Sequence, residues 1–194
     1  MKRVPVFAIA CALAVLAAGC ASPPASFYTL TATAAPGSAP SKLTVAVGPV
    51  SVPATIDRPQ IVVNTGANQV SIDEFNRWAA PLQDNLQRVV AENLVALLGT
   101  SRVTLYPTLA ADLDFRVQVE VRNFESTPGK QALLDAVWTV RRMKDGKSET
   151  GRTSVRETPS EGGYGPLAAA HSRAVARMSQ DIAEAVRALA RGAS

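Results

Sequence analysis

The chain has 194 residues, 20 Lys and Arg against 16 Asp and Glu, one His and two Cys. That length fits one domain plus a leader or tether. A single His and two Cys fall short of the four His and Cys ligands of a structural zinc site. The formal charge is only +4, two units of which come from Lys2 and Arg3, so the chain lacks the basic footprint of a nucleic-acid binder.

Lys2 and Arg3 precede an apolar run from Val4 to Ala18, and Gly19-Cys20 follows. A basic start, a short apolar run and a small-residue cleavage site describe a secretory signal peptide. The run is shorter than the roughly 20 residues that cross a bilayer. Ala17-Ala18-Gly19-Cys20 resembles the bacterial lipobox, in which a Cys receives diacylglycerol and becomes the mature N-terminus. Leu16 stands four places before Cys20, one further than the usual pattern. Cleavage between Gly19 and Cys20 leaves 175 of the 194 residues and lowers the net charge to +2. The other reading is an ordinary secreted protein with one free Cys. With Cys11 lost and Cys20 acylated, no intramolecular disulfide forms even in an oxidising compartment.

Ala21 and Ser22 follow the cysteine, and the absence of Asp there favours the outer membrane by the sorting convention of Gram-negative bacteria. Residues 20–41 read as a lipidated Cys and a Pro/Ala/Ser/Thr-rich tether, interrupted by Phe27-Tyr28-Thr29-Leu30 as a short edge strand. Fully extended, Cys20 to Leu43 would reach on the order of 70–80 Å and hold the folded part, residues 42–192, clear of the membrane.

In the folded part, Leu43, Val45 and Val47 alternate with polar or small residues and predict a strand that stops at Gly48-Pro49. Val50 to Arg58 reads as an extended connector. Ile61-Val62-Val63 and Val70–Ile72 flank a polar Gly-containing loop and predict a hairpin. Leu82, Leu86, Val89, Val90, Leu94, Leu97 and Leu98 recur at helical steps after Pro81, with Gly99 as the stop. Gln87 and Asn93 fall mostly on the wet side of that helix. Val103 and Leu105 give a short strand ending at Pro107. Phe115, Val117, Val119 and Val121 alternate strictly, as do Leu134, Ala136, Trp138 and Val140. Asp145-Gly146 marks a hairpin turn into a polar edge strand over Ser148–Glu157. Pro166 opens a last helix whose apolar line is Val175, Met178, Ile182, Val186 and Leu189. The fold class expected is one α/β (α+β-like) domain: a mixed, mainly antiparallel sheet of about five to six strands with two long helices.

Catalytic chemistry finds little to stand on. His171 lies near the apolar face of the last helix and reads as a partly buried structural residue. No G-x-S-x-G elbow precedes a helix. Gly146-Lys147-Ser148 lacks the upstream Gly of a phosphate loop, since Arg141 occupies that place. Paired carboxylates stay open as a hydrolase. Gly162–Gly165 reads as a flexible connector or as an anion cradle. The basic residues of the last helix read as a solvated face or as a contact for anionic lipid. No cofactor and no metal site is expected.

Two segments are less easily read as scaffold. Asp57, Arg58 and Gln60 lie in a charged, proline-containing connector, and Arg77-Trp78 stands just ahead of the first helix. Arg and Trp are favoured interface anchors, while packing of Trp78 under the hairpin is the competing reading. Phe27-Tyr28-Thr29-Leu30, Val47-Gly48-Pro49-Val50, Asp57-Arg58-Pro59-Gln60-Ile61-Val62 and Arg77-Trp78-Ala79-Ala80-Pro81-Leu82 leading into Arg88–Leu94 resemble the PqiC-type (YmbA-like) ABC-type transport auxiliary lipoproteins. Ala80 departs from the acidic residue of that pattern. The resemblance implies an outer-membrane-anchored periplasmic lipoprotein with an α/β domain and no catalytic centre. It further implies a role beside an MCE-domain protein and inner-membrane transporter components in moving lipid and maintaining envelope integrity. Self-association into a homo-oligomer stays open. The competing functions are a periplasmic lipid or small-ligand carrier and an envelope hydrolase.

Overall fold

The alternating apolar residues of the central strands build one wall of the core, and the helical heptad-like stripes build the other. The computed structural model describes residues 24–37, 40–107 and 112–192. In chain order the elements are β1 (Ser26–Tyr28), β2 (Val45–Ser51), β3 (Gln60–Gly66), β4 (Gln69–Trp78), α1 (Leu82–Leu98), β5 (Val103–Leu105), β6 (Phe115–Thr127), β7 (Gln131–Arg142), β8 (Ser148–Glu157) and α2 (Tyr164–Arg191).

Five strands form one sheet in the order β5-β2-β6-β7-β8, and three form a second in the order β1-β4-β3. The strand pairs β2–β5, β2–β6 and β1–β4 are parallel; β3–β4, β6–β7 and β7–β8 are antiparallel. The expected α+β class, mixed pairing and two long helices are present. The strands divide into two sheets because the Pro53 to Pro59 connector carries the chain away from β2, and the hairpin pairs with β1 instead.

The period-two pattern explains the large sheet. Val117, Val119 and Val121 face Val140, Trp138 and Ala136 across the ladder, and all six are buried. Both helices lie on that face and touch each other. Trp138 fits because its neighbour in β8 is Gly151; a Cβ there would run into the indole ring. The indole Nε1 donates to Thr153 Oγ1 at 3.0 Å, satisfying the one polar atom that its burial would orphan.

Three expectations change. β2 does not stop at Gly48-Pro49 but runs on to Ser51, with a register shift between Val47 and Val50. Gly48 permits this through its φ of 120°, a conformation that L side chains rarely adopt. Gln87 and Asn93 of α1 are buried, not wet. Gln87 Nε2 donates to the carbonyls of Val47 (2.9 Å) and Tyr106 (2.8 Å).

The third change concerns the expected tether. Residues 29–37 lie as a strap across both helices. Leu30 is fully buried, Thr31 N–H donates to Ser172 Oγ at 3.1 Å, and Gly37 N–H to the carbonyl of Ala96 at 2.9 Å. Asn93 Oδ1 accepts the N–H groups of Thr33 (3.1 Å) and Ala34 (3.0 Å), while its Nδ2 donates to Ser179 Oγ on α2 at 3.3 Å. One buried amide therefore joins the strap, α1 and α2. The folded unit starts no later than β1, so residues 26–37 add nothing to the long reach expected of residues 20–41.

Candidate docking site

The five residues singled out around the first helix come together at one corner of the small sheet. The carbonyl of Pro59 accepts Trp78 N–H at 2.7 Å, pinning the entry of β3 to the exit of β4. Gln60 and Arg77 are direct ladder partners. Glu74, which the sequence pattern did not single out, ties them together. Gln60 Nε2 donates to Glu74 Oε2 at 3.2 Å, Arg77 Nε donates to the Glu74 carbonyl at 2.8 Å, and Arg77 Nη2 lies 3.5 Å from Glu74 Oε2. An exposed ion pair of this kind adds little stability; its effect here is to fix where the guanidinium points.

Asp57, Arg58, Pro59, Trp78, Ala79, Ala80 and Pro81 line an open, mainly apolar cleft of about 370 Å³ beside that corner. Arg58 is half-buried, and its Nε is sealed from solvent without an acceptor among the described residues. Trp78 is only 5% exposed, and its ring meets Phe124 edge-on with centroids 6.2 Å apart. Packing is thus the reading that geometry gives for the indole, and Trp78 also borders the cleft. Cys20 and Gly19 lie outside the described residues.

The other candidate residues are placed in the scaffold. His171 is fully buried, stacked on Phe124 with ring centroids 3.8 Å apart, and its Nε2 sits 2.9 Å from Ser126 Oγ. Its Nδ1 has no partner among the described residues, so none of their carboxylates orients the ring for proton transfer. Burial alone pushes its pKa down to about 3, which keeps the imidazole neutral. Ser126 is buried as well, and the pair cannot meet a substrate from solvent.

Gly162 and Gly163 lead into α2, and Gly163 adopts φ 101° at its N-cap. The connector delivers Tyr164 to the small sheet, where its hydroxyl donates to Asp73 Oδ2 at 2.6 Å and its ring lies 5.9 Å from that of Tyr28. Burial would raise the Asp73 pKa, but the Tyr164 hydroxyl and the N–H groups of Phe75 and Asn76 outweigh it and hold the carboxyl below its usual range. At the opposite end of α2, the guanidinium of Arg142 grips Asp145 through bonds of 2.9 and 2.6 Å and donates to the Leu189 carbonyl. That fork draws the Asp145 pKa down to about 2.

Several basic residues of α2 are spent on packing. Arg173 pairs with Glu157 at 2.8 Å, and Arg187 donates to the Leu97 carbonyl at the end of α1. Among the described residues no group of three or more His, Cys, Asp or Glu side chains is placed to hold a metal, and no helix is long and apolar enough to cross a membrane.

A family profile described as ABC-type transport auxiliary lipoprotein component matches residues 28–183. The chain belongs to this family. The match begins inside β1, which agrees with a folded unit that includes the strap. Two crystal structures share the fold. Protein XCC0632 from Xanthomonas campestris is 18% identical, with a TM-score of 0.71 over 87% of this chain and 100% of that one. An uncharacterized protein is 20% identical, with a TM-score of 0.71 over 84% of this chain and 99% of that one. Curated protein sequences yield no match. The family is a transport-associated lipoprotein family and not an enzyme family. Envelope association and a transport role follow from membership.

Proposed function

We propose that this auxiliary lipoprotein is a non-enzymatic docking component of an MCE-type lipid transport system, held at the periplasmic leaflet of the outer membrane by acylated Cys20. The β3–β4 corner receives the partner. Family membership supports the transport role, and the resemblance of the Asp57–Val62 and Arg77–Leu82 motifs supports the MCE assignment.

The observation that carries the docking site is Arg58. A sealed guanidinium N–H without an acceptor is costly to maintain, and it stands against an open apolar cleft. An incoming carbonyl or carboxylate would pair with the terminal nitrogens of Arg58 rather than the sealed Nε, while an apolar side chain would fill the space bounded by Pro59, Trp78 and Pro81. Arg77, held by Glu74, presents a second cation at the rim.

Replacing a central anchor typically costs about 2 kcal/mol or more of binding, whereas a solvated residue costs little. Arg58→Ala and Arg77→Ala should therefore weaken partner capture without unfolding the domain. Crosslinking yield from envelopes measures capture, and circular dichroism melts on the same samples measure folding. Folded variants that capture partner at the parental yield would sink the assignment.

A further inference from the structure

The small sheet has one face on the core; on the other, Val62 is buried but the flanking apolar residues of β1 and β4 are exposed. Ladder partners share a face in an antiparallel pair, and residues two apart on a strand do as well. Val62 pairs with Ile72 and Asn64 with Val70; Gln60 pairs with Arg77, which in turn pairs with Phe27. These residues therefore occupy the side opposite Ile61 and Val63, which enter the core. Phe27 is 64% exposed, Val70 56% and Ile72 42%, and Phe75 in the intervening bulge is 44% exposed. Four large apolar side chains exposed along one small sheet are the kind of surface that meets a protein or a membrane.

Chain direction and charge decide between the two. β1 runs parallel to β4 in the register Ser26–Asn76, Phe27–Arg77, Tyr28–Trp78. The chain therefore enters β1 from the end of β4 that carries Phe75, Ile72 and Val70, and leaves toward the cleft. Cys20 stands six residues before Ser26, a contour of about 20 Å at most. No charged residue occurs from Ala21 to Ser41, nor from Pro59 to Ile72. β1 and the hairpin as far as Ile72 are thus free of the groups most costly to bring into lipid, and the charged side chains further along β4, Asp73, Glu74 and Arg77, are ones a headgroup region can solvate.

We propose that the outer face of the β1–β4–β3 sheet, with the uncharged β3–β4 hairpin at its tip, lies in the headgroup region of the bilayer that holds the Cys20 anchor. This rests on acylation of Cys20. Phe27, Val70, Ile72 and Phe75 enter the interface, where amphipathic protein surfaces bury about 5–10 Å deep. The docking cleft, at the opposite end of β4 beyond Arg77, then lies at the rim of this face.

The test uses the full, processed protein reconstituted into phosphatidylethanolamine–phosphatidylglycerol vesicles with or without brominated phosphatidylcholine. Phe27→Trp and Val70→Trp place reporters on the face. Met143→Trp places one at the far pole, since Met143 and Ala190 border the same cleft and Ala190 is separated from Tyr164 by about 40 Å of helix. The native Trp78 and Trp138 are buried and set the baseline.

Brominated lipid should quench the added reporters at 27 and 70 by roughly two-fold and leave the reporter at 143 unchanged, as expected of side chains at interfacial depth. Equal quenching at 70 and 143 would overturn the proposal. Reporters at 27 and 70 shielded from acrylamide yet unquenched by bromolipid would overturn it too, and would assign the face to a protein surface. Mass spectrometry of the N-terminal peptide separates the two readings: an unmodified Cys20 removes the anchor and this proposal together, whereas an acylated Cys20 without quenching removes the proposal alone.

Discussion

At the residue scale, His171 carries the clearest thermodynamic signature. Its imidazole is stacked on Phe124 and held neutral by burial, with a pKa pushed down to about 3. In the unfolded chain it takes a proton near pH 6.5. Protons therefore bind the unfolded state preferentially between those limits, and the stability present above pH 6.5 is lost as pH falls toward 3. The slope approaches about 1.4 kcal/mol per pH unit at most. His171→Gln should flatten the fall in melting temperature between pH 7 and 5, lower stability modestly at pH 7 through lost stacking, and preserve membrane integrity in cells. Thermal melts across that range check the first two outcomes and a detergent-sensitivity assay the third. Loss of function at an unchanged melting temperature would contradict a packing role. The sequence places His171 on the apolar side of its helix, but Phe124 and Ser126 come from a strand some 45 residues earlier, and no local pattern pairs them.

At the element scale, the strap over the helices shows where sequence reading succeeds and where it stops. Leu82 through Leu98 and the Val117–Val121 and Ala136–Val140 alternations are legible because a single face decides each residue. β8 and the Asp145–Gly146 turn are legible for the same reason, since the turn chemistry is local. Gln87 and Asn93 mislead, because a polar residue on a helix reads as wet unless one knows what covers it. What covers Asn93 is a Thr/Ala-rich segment whose composition resembles a linker and which has no periodicity of its own. Its order comes from hydrogen bonds to Asn93, Ser172 and Ala96. Asn93→Ala leaves the Thr33 and Ala34 N–H groups without an acceptor, at a cost of about 1–3 kcal/mol each if they stay buried. The expected result is a lower melting temperature together with faster hydrogen exchange at residues 31–37. Unchanged exchange there would refute the strap's dependence on this amide. The docking corner is half legible in the same sense: the unusual chemistry of Asp57–Gln60 and Arg77-Trp78 stands out, but Glu74 and Phe27 join them only through strand register.

At the scale of the whole molecule, only six residues separate Cys20 from Ser26 of β1, so the proposed acyl anchor is a close mount and not a free tether. A single acyl chain binds membranes only marginally, and firm attachment takes several chains or a second contact. Cys20→Ser should leave the protein unprocessed or in the soluble periplasmic fraction; sedimentation with outer membrane as a processed form would refute the anchor. The parallel pairing of β1 with β4 carries a mechanical consequence as well. A pull applied at the N-terminal end of the chain runs along β1, parallel to the ladder, so the hydrogen bonds between Ser26–Tyr28 and Asn76–Trp78 are loaded together in shear rather than opened one at a time. Behind them, the strap transmits the same load to α1 and α2 through Leu30, Thr31 and Asn93. Traction from the proposed anchor would therefore have to break these contacts together before it could peel the N-terminal segment from the two helices, which suits a protein mounted to hold a partner against a membrane.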